Sequence, residues 1–565
     1  MKKALVLSLL LWIPCSLWAL PRPTAPKLPP LSKQQQMIQI LNRLTFGPRL
    51  QDFVYIQKIG IKPFIEEQLY PEKIDDSQCD QMLTQYPDLL ESSWDLYQKY
   101  PPANVLIVNG IPQKNDKVNE EQKKEANQRV RTILKQMDAA KLTRVLYSKR
   151  QLQEVMTDFW FNHFNVTFEK NRIKWLLPGY ERDVIRVNAL GNFRDLLGAV
   201  AHSPAMLDYL DNVVSTVDPR YVSSADMGEY PMMAAMAKTQ PNGKPRKNVG
   251  LNENYARELM ELHTLGVDSG YTQQDVIEVA RTLTGWSFDG PNILEKYPYN
   301  ANPDDVFRFK FRAKMHDRGT KTILGQTFGP DQGELEGEAV LDMLCKQPAT
   351  AHFIAFKLCR RFISDNPPET LVKNVAATFL KTNGDIRSCL RTIFYSKEFM
   401  GPHNYRAKIK TPLEFVASAL RVTNAQLTQP EKAAQALNLM GENLYLCEPP
   451  TGYPDTAAAW VYSSALLDRL NFGLQLLSNR PNSSASVDLL KLDSDLKSGN
   501  DGRKILNRFF KVFLKDQVSD NTQKVLTKKL SDPEVSHTLL DDKKKSFEAA
   551  QLGALVLGSP DFQRR

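Results

Sequence analysis

Apolar side chains return at three- and four-residue steps over most of this chain, and that spacing constrains its fold more than any other feature. In RQLQEVMTDFWFNHFNV (150–166), Leu152, Val155, Met156, Phe159, Trp160 and His163 fall on one helical face. Residues 183–211 repeat the pattern, with Pro204 opening a helix that carries Met206, Leu207 and Leu210. The same reading predicts helices over 334–346, 350–363, 369–381, 384–397, 411–423, 457–478 and 501–565. Two-residue alternation is confined to Val306–Arg312, where Phe307, Phe309 and Phe311 face one side and Arg308, Lys310 and Arg312 the other. MHDRG follows, and KTILGQTF reads as the returning strand. The expected fold is mainly α: a multi-helix, bundle-like body with a small β-hairpin excursion at about 306–328.

At 565 residues the chain exceeds one ordinary core, and 42% hydrophobic with 24% charged residues excludes global disorder. The first nineteen residues differ from the rest. Lys2 and Lys3 precede the apolar run Ala4–Ile13, which is the layout of a secretory signal cut after Ala19. Residues 20–35 are a proline-rich linker, 36–480 the main helical domain, and 481–565 a C-terminal helical extension. Periodicity is lost over 213–250, a long polar loop. No later segment approaches twenty apolar residues, so no transmembrane span is expected after cleavage, and the product is placed outside the cytoplasm, periplasmic or secreted. Loss of two lysines leaves 71 basic against 64 acidic residues, a weak field without aromatic-interleaved basic runs, which argues against a nucleic-acid partner. Cys79, Cys345, Cys359, Cys389 and Cys447 are too sparse for a disulfide framework and lack zinc spacing.

The densest polar block is NENYARELMELHTLGVDSGYTQQDVIEVARTLTGW (252–286). A helix is expected from Glu253 to Leu265, with Gly266 ending it in the left-handed conformation. A second begins at Thr272, capped reciprocally with Asp275. On the first helix Asn254, Glu258 and Glu261 share a face with Arg257 alongside, while His263 falls nearer the apolar side. Two carboxylates so placed suit a metal or acid/base work. The competing reading is that Arg257 neutralises them, through Glu261 one turn on and a bond to the next helix. Other candidates are His163, flanked by Asn162 and Asn165 on an aromatic face, and His316-Asp317 in a turn. Each also has a plain structural reading, as a polar tie between helix end and loop or as turn chemistry. The loop at 265–276 lacks calcium ligands at the required positions, and HExxH, GxSxG, Walker A and GxGxxG patterns are absent.

With FWFNHFNV upstream and MHDRGTKTILG, RRFISDNPP, RAKIKTPLEFVASALR and GYPD downstream, this block resembles the bacterial family catalogued as domain of unknown function 1800, in order from about Leu41 to Asn471. The resemblance implies a secreted, mostly helical protein. It also implies a frequent genomic neighbour, a secreted sulfatase-like protein of the family catalogued as domain of unknown function 1501, as a candidate partner. It brings no reaction with it, but it adds weight to Asn254, Arg257, Glu258, Glu261, His263 and Trp286.

Two functions follow. One is an extracytoplasmic hydrolase or modifying enzyme acting on an extracellular or cell-surface polymer. Its catalytic groups would be Glu258, Glu261, His263 and Arg257. Asn254, Trp286, Asn162 and Asn165 would contact substrate, and a divalent cation as candidate cofactor would draw on Glu258, Glu261, His163, His316 and Asp317. The other is a non-catalytic scaffold or partner of the sulfatase-like protein. Its candidate docking surfaces are the proline-rich lead-in and GENLYLCEPPTGYPDTAAA (441–459).

Overall fold

Helices make up the body, as the three- and four-residue spacing requires. The computed structural model describes residues 28–218, 250–291, 302–479, 483–489, 502–530 and 542–565. The expected signal segment 1–19, the lead-in as far as residue 27, and residues 219–249 of the polar loop lie outside the described residues. The first helix, Lys33–Leu44, starts three residues ahead of the expected domain boundary. Ser32 and Gln35 bond each other's backbone amides there and fix its start. The longest helix, Glu120–Tyr147, opens on the equivalent exchange between Asn119 and Gln122 and extends about 42 Å.

The helix Pro412–Val422 occupies the centre. Thr411 and Glu414 cap it, Pro412 sits where a missing amide hydrogen costs nothing, and all of its residues are buried. The long helix, Pro430–Leu439 and Ser463–Leu477 pack against it; Pro348–Phe362, Glu369–Lys381 and Ile386–Phe394 pack on one another in succession, and Ser463–Leu477 packs on Asp542–Leu557. One continuous apolar core links Ile40, Leu142, Trp160, Leu259, Phe415, Phe472 and Val556. The described helices after 481 therefore share this core. Lys408 and Arg565 exchange backbone hydrogen bonds of 3.3 and 2.8 Å, and Gln563 accepts from the Lys410 amide. Among the described residues no helix is long and apolar enough to cross a membrane.

The β excursion at 306–328 consists of two pairings rather than one hairpin. Phe307 adopts φ 57°, which cuts the Phe alternation short. The remaining strand, Phe309–Phe311, runs antiparallel to Trp286–Phe288, which no alternation had marked. KTILGQTF closes on itself: Lys321–Ile323 pairs with Gln326–Phe328 around Leu324-Gly325, both at positive φ. Val105–Val108 and Ile111–Lys114 form a third hairpin around Asn109-Gly110.

The central helix is held by charge as well as by packing. Arg421 donates to the carbonyls of Gly47, Val145 and Leu146 and to Asp52, so it caps the end of the long helix. Glu414 meets Arg361 and lies 2.7 Å from Arg565, all three buried. Burial would raise the Glu414 carboxyl, but the two guanidinia outweigh it and hold it at about 2. Glu414→Ala should leave two buried cations uncompensated and destabilise the protein by about 3–5 kcal/mol in denaturant titration. Because the folded-state value lies below that of the unfolded chain, the stabilisation it removes is present above the ordinary carboxyl range and fades as pH falls toward 2.

Candidate functional site

The 252–286 block forms its two helices with one departure. Asn254–Glu258 is α-helical, but Leu259–Thr264 continues as a π-helix. The Thr264 hydroxyl donates to the Leu259 carbonyl at 2.6 Å and the Leu265 amide to the Met260 carbonyl at 2.9 Å, both reaching back five residues. Gly266 then ends the helix at φ 88°, close against the Phe353 ring. The second helix, Gln273–Thr282, carries the expected exchange between Thr272 and Asp275.

This widened turn re-aims the side chains. Glu258 and Glu261, one face apart in a regular helix, go to different surroundings. Arg257 reaches Glu253 at 3.4 Å and Glu261 at 3.5 Å, and crosses to Gln273 at 2.8 Å, all on a half-exposed surface. Tyr271 bonds Glu261 as well. Glu258 stands apart: it is half-buried near Tyr209, with no hydrogen bond or ion pair to a described residue, and burial followed by the Glu261 charge raises its carboxyl. Asn254 uses its amide on the Leu210 carbonyl.

His263 turns away from both carboxylates into the interior, where it meets His163. The His163 Nε2 lies 3.1 Å from the His263 carbonyl, an acceptor, so Nε2 carries the hydrogen and Nδ1 is bare. Into that bare nitrogen points Lys357, its Nζ 2.7 Å away. Burial first, and then the Lys357 charge, keep His163 well below its ordinary value, so the ring is neutral. Burial lowers Lys357 to about 8, against the opposing pull of Asp455. No carboxylate among the described residues forms an ion pair with Lys357, whose side chain is half-buried over the Phe353 ring. A neutral lysine in this position can still donate to Nδ1 while turning its lone pair elsewhere, as a base or nucleophile working near neutral pH requires.

The side-chain amides of Asn162 and Asn165 serve as structural ties. The Asn162 amide bonds both backbone groups of Tyr453, and Asn165 donates to the carbonyls of Cys447 and Pro449. Gly452 lies so close to Asn162 that a Cβ would meet its carbonyl at 2.2 Å. GYPD is thereby fixed across the end of the helix that carries His163, and Asp455 goes on to Lys408, which also holds Asp365.

Trp286 does not form a stacking wall. It is fully buried, lying against His202 with ring centroids 4.7 Å apart and with Gly337 pressed on its far edge. His316 and Asp317 are committed too. Asp317 takes two hydrogen bonds from Arg281, at 2.9 and 3.0 Å, and His316 Nδ1 donates to the Thr284 carbonyl. Lys321 and Glu336 complete that closed charge network. The residues offered as metal ligands, Glu258 with Glu261, His163, and His316 with Asp317, thus fall in three separate places. Among the described residues no three His, Cys, Asp or Glu side chains converge to hold an ion. Sequence reasoning missed Lys357, because a lysine one helical turn after Phe353 has the spacing of an ordinary solvated side chain.

This mainly helical architecture, with its motif block on an α-to-π helix, defines the class to which the chain belongs. A family model described as protein of unknown function (DUF1800) matches residues 39–564, nearly the whole chain, and the protein belongs to that family. The match includes the C-terminal segment that the sequence motifs alone did not reach. Neither a curated protein nor a solved structure matches it.

Because the folded protein holds Lys357 at a lower value than the unfolded chain does, the charged amine costs stability below about pH 8, and the cost vanishes as pH rises toward the ordinary lysine value. Lys357→Met should therefore gain on the wild type at neutral pH and lose that relative gain by about pH 10.5, the model-peptide range for lysine, in paired melting curves. Curves separated by a constant amount across that window would contradict this placement of the amine.

Proposed function

We propose that the protein is an exported hydrolase or other modifying enzyme acting on an extracellular or cell-surface polymer, with Lys357 as its base and His163 as the residue that positions it. The observation that carries this reading is the 2.7 Å contact between Lys357 Nζ and the bare His163 Nδ1, with no carboxylate among the described residues in an ion pair with the amine. In the proposed chemistry Lys357 takes a proton from water or a polymer hydroxyl as that oxygen attacks an acyl group, and later returns it to the leaving group. Glu258, whose carboxyl burial raises and which forms no ion pair with a described residue, is the candidate second acid/base group. The signal-like pattern of residues 1–19 supports the export assignment.

A second reading, a scaffold for a secreted sulfatase-like partner, draws on a different observation. Leu439, Val461 and Leu467 are 68%, 45% and 57% exposed, and Tyr462 joins them by bonding the Met440 carbonyl. That apolar patch adjoins the 441–459 segment and has the character of a protein-binding surface.

Incubation with purified cell-envelope polymers, followed by mass spectrometry of the products, separates the two. The enzyme reading expects product formation that rises through about pH 8 and falls at least ~100-fold in Lys357→Met, the order of a lost general base. Full activity in that variant would remove Lys357 from the chemistry. Loss of partner co-purification in Leu467→Asp, with no product from any polymer, would favour the scaffold.

A further inference from the structure

A second site lies away from the lysine, in a cleft between the 83–90 segment, the long helix and the other π-helix of the described structure, Tyr180–Arg186. The cleft is open to solvent and small, with about 50 Å³ of accessible space. Its walls are apolar: Leu83, Leu89, Leu90, Met137, Ala140 and Pro178. Its polar groups are Arg144, Arg182, Arg186, Glu181, Tyr86 and Tyr445.

Nearly all the charge here is already matched. Glu181 accepts from Arg186 at 2.8 Å with one oxygen and from the Tyr445 hydroxyl with the other. Arg186 also holds Glu154, and Arg182 holds Asp183 and the Leu89 carbonyl. Arg144 is the exception. Its guanidinium lines the cleft without a hydrogen bond or ion pair to any described residue. The residue is half-buried, and solvent reaches its guanidinium. Burial and the Arg186 charge both weigh against the cation there, and together they outweigh the opposing pull of Glu154 and Glu181. An unmatched guanidinium held in a largely apolar cleft is costly unless an acceptor arrives.

We propose that this cleft binds a small amphiphilic monocarboxylate, its carboxylate held by the Arg144 guanidinium and its short apolar tail lying against Leu83, Leu89, Leu90 and Met137. A guanidinium suits a carboxylate by its planar pair of donors, and the apolar walls select a hydrocarbon tail over a second charge. The site is independent of Lys357, so the two assignments stand or fall separately.

Calorimetric titration of the full chain with hexanoate, 1-hexanol and inorganic phosphate tests it. Hexanoate should bind with one-to-one stoichiometry, and hexanol and phosphate each about ten- to hundredfold more weakly, the worth of a charge-assisted hydrogen bond or of the buried tail. Arg144→Met should lose hexanoate binding by the same factor while melting no lower than the wild type, because no protein contact is removed. Leu90→Glu, at an exposed rim position, should weaken hexanoate but not the fold. Phosphate binding as tightly as hexanoate would overturn the amphiphile assignment, as would hexanoate binding unchanged in either variant. An Arg144→Met protein that fails to fold would show that the guanidinium already serves the structure, and would overturn it too.

Discussion

The helix Pro412–Val422 has water on no side, and everything around it must answer to that. An interior helix leaves its own polar side chains nowhere to go, so Glu414 and Arg421 have to be matched from the surrounding elements. Arg421 draws in the turn at Gly47, the end of the long helix and Asp52; Glu414 draws in Arg361 and Arg565. These pairs decide which surfaces may approach the centre, since any other packing would strand a charge in an apolar interior. The motifs RRFISDNPP and RAKIKTPLEFVASALR are therefore architectural in most of their charged positions. Lys408, between Asp365 and Asp455, extends the same logic to the segment that covers the His163 helix.

Against that compensated background the uncompensated groups stand out. Asp317, Arg281, Lys321 and Glu336 close on themselves, while Lys357 and Arg144 do not. Both lie beside a π-helical stretch. Inserting a residue into a helix disrupts its ladder and costs stability, so such turns persist where they aim a group that a regular helix would misplace. At Leu259–Thr264 the result is a carbonyl, that of His263, presented to His163, and through His163 a fixed partner for the lysine. At Tyr180–Arg186 it is Glu181 and Arg186 placed together on the floor of the cleft.

Helical periodicity carried most of the architecture to the surface of the sequence. Caps at Thr272 and Thr411 and stops such as Gly266 mark helix ends because they satisfy backbone groups locally, and local satisfaction leaves a local signature. Pairing partners leave none. Val306–Arg312 alternates as a strand should, yet nothing in it says that its neighbour is Trp286–Phe288 rather than KTILGQTF. The candidate site was half legible for a similar reason. His163 and His263 could be singled out, and the structure brings them together. His263 was already read as lying nearer the apolar side than Glu258 and Glu261, and the structure buries it there, while Lys357 enters from a helix some two hundred positions away with no mark of its own. Asn162 and Trp286 were conspicuous for their chemistry but are spent on holding a backbone and filling a core.

The matched pairs also set the order in which the molecule can be assembled. Arg421 meets Asp52 across 369 positions, Asn162 meets Tyr453 across 291, and Arg43 meets the Ile363 carbonyl across 320. Each closes a very large loop before it returns any stabilisation, the regime of high contact order and slow folding. A nascent chain has to keep its central helix waiting, its apolar surface and its two charges uncovered, until both distant ends arrive. The same stitching that leaves the finished protein few loose seams thus lengthens the interval in which an unfinished one is vulnerable to aggregation.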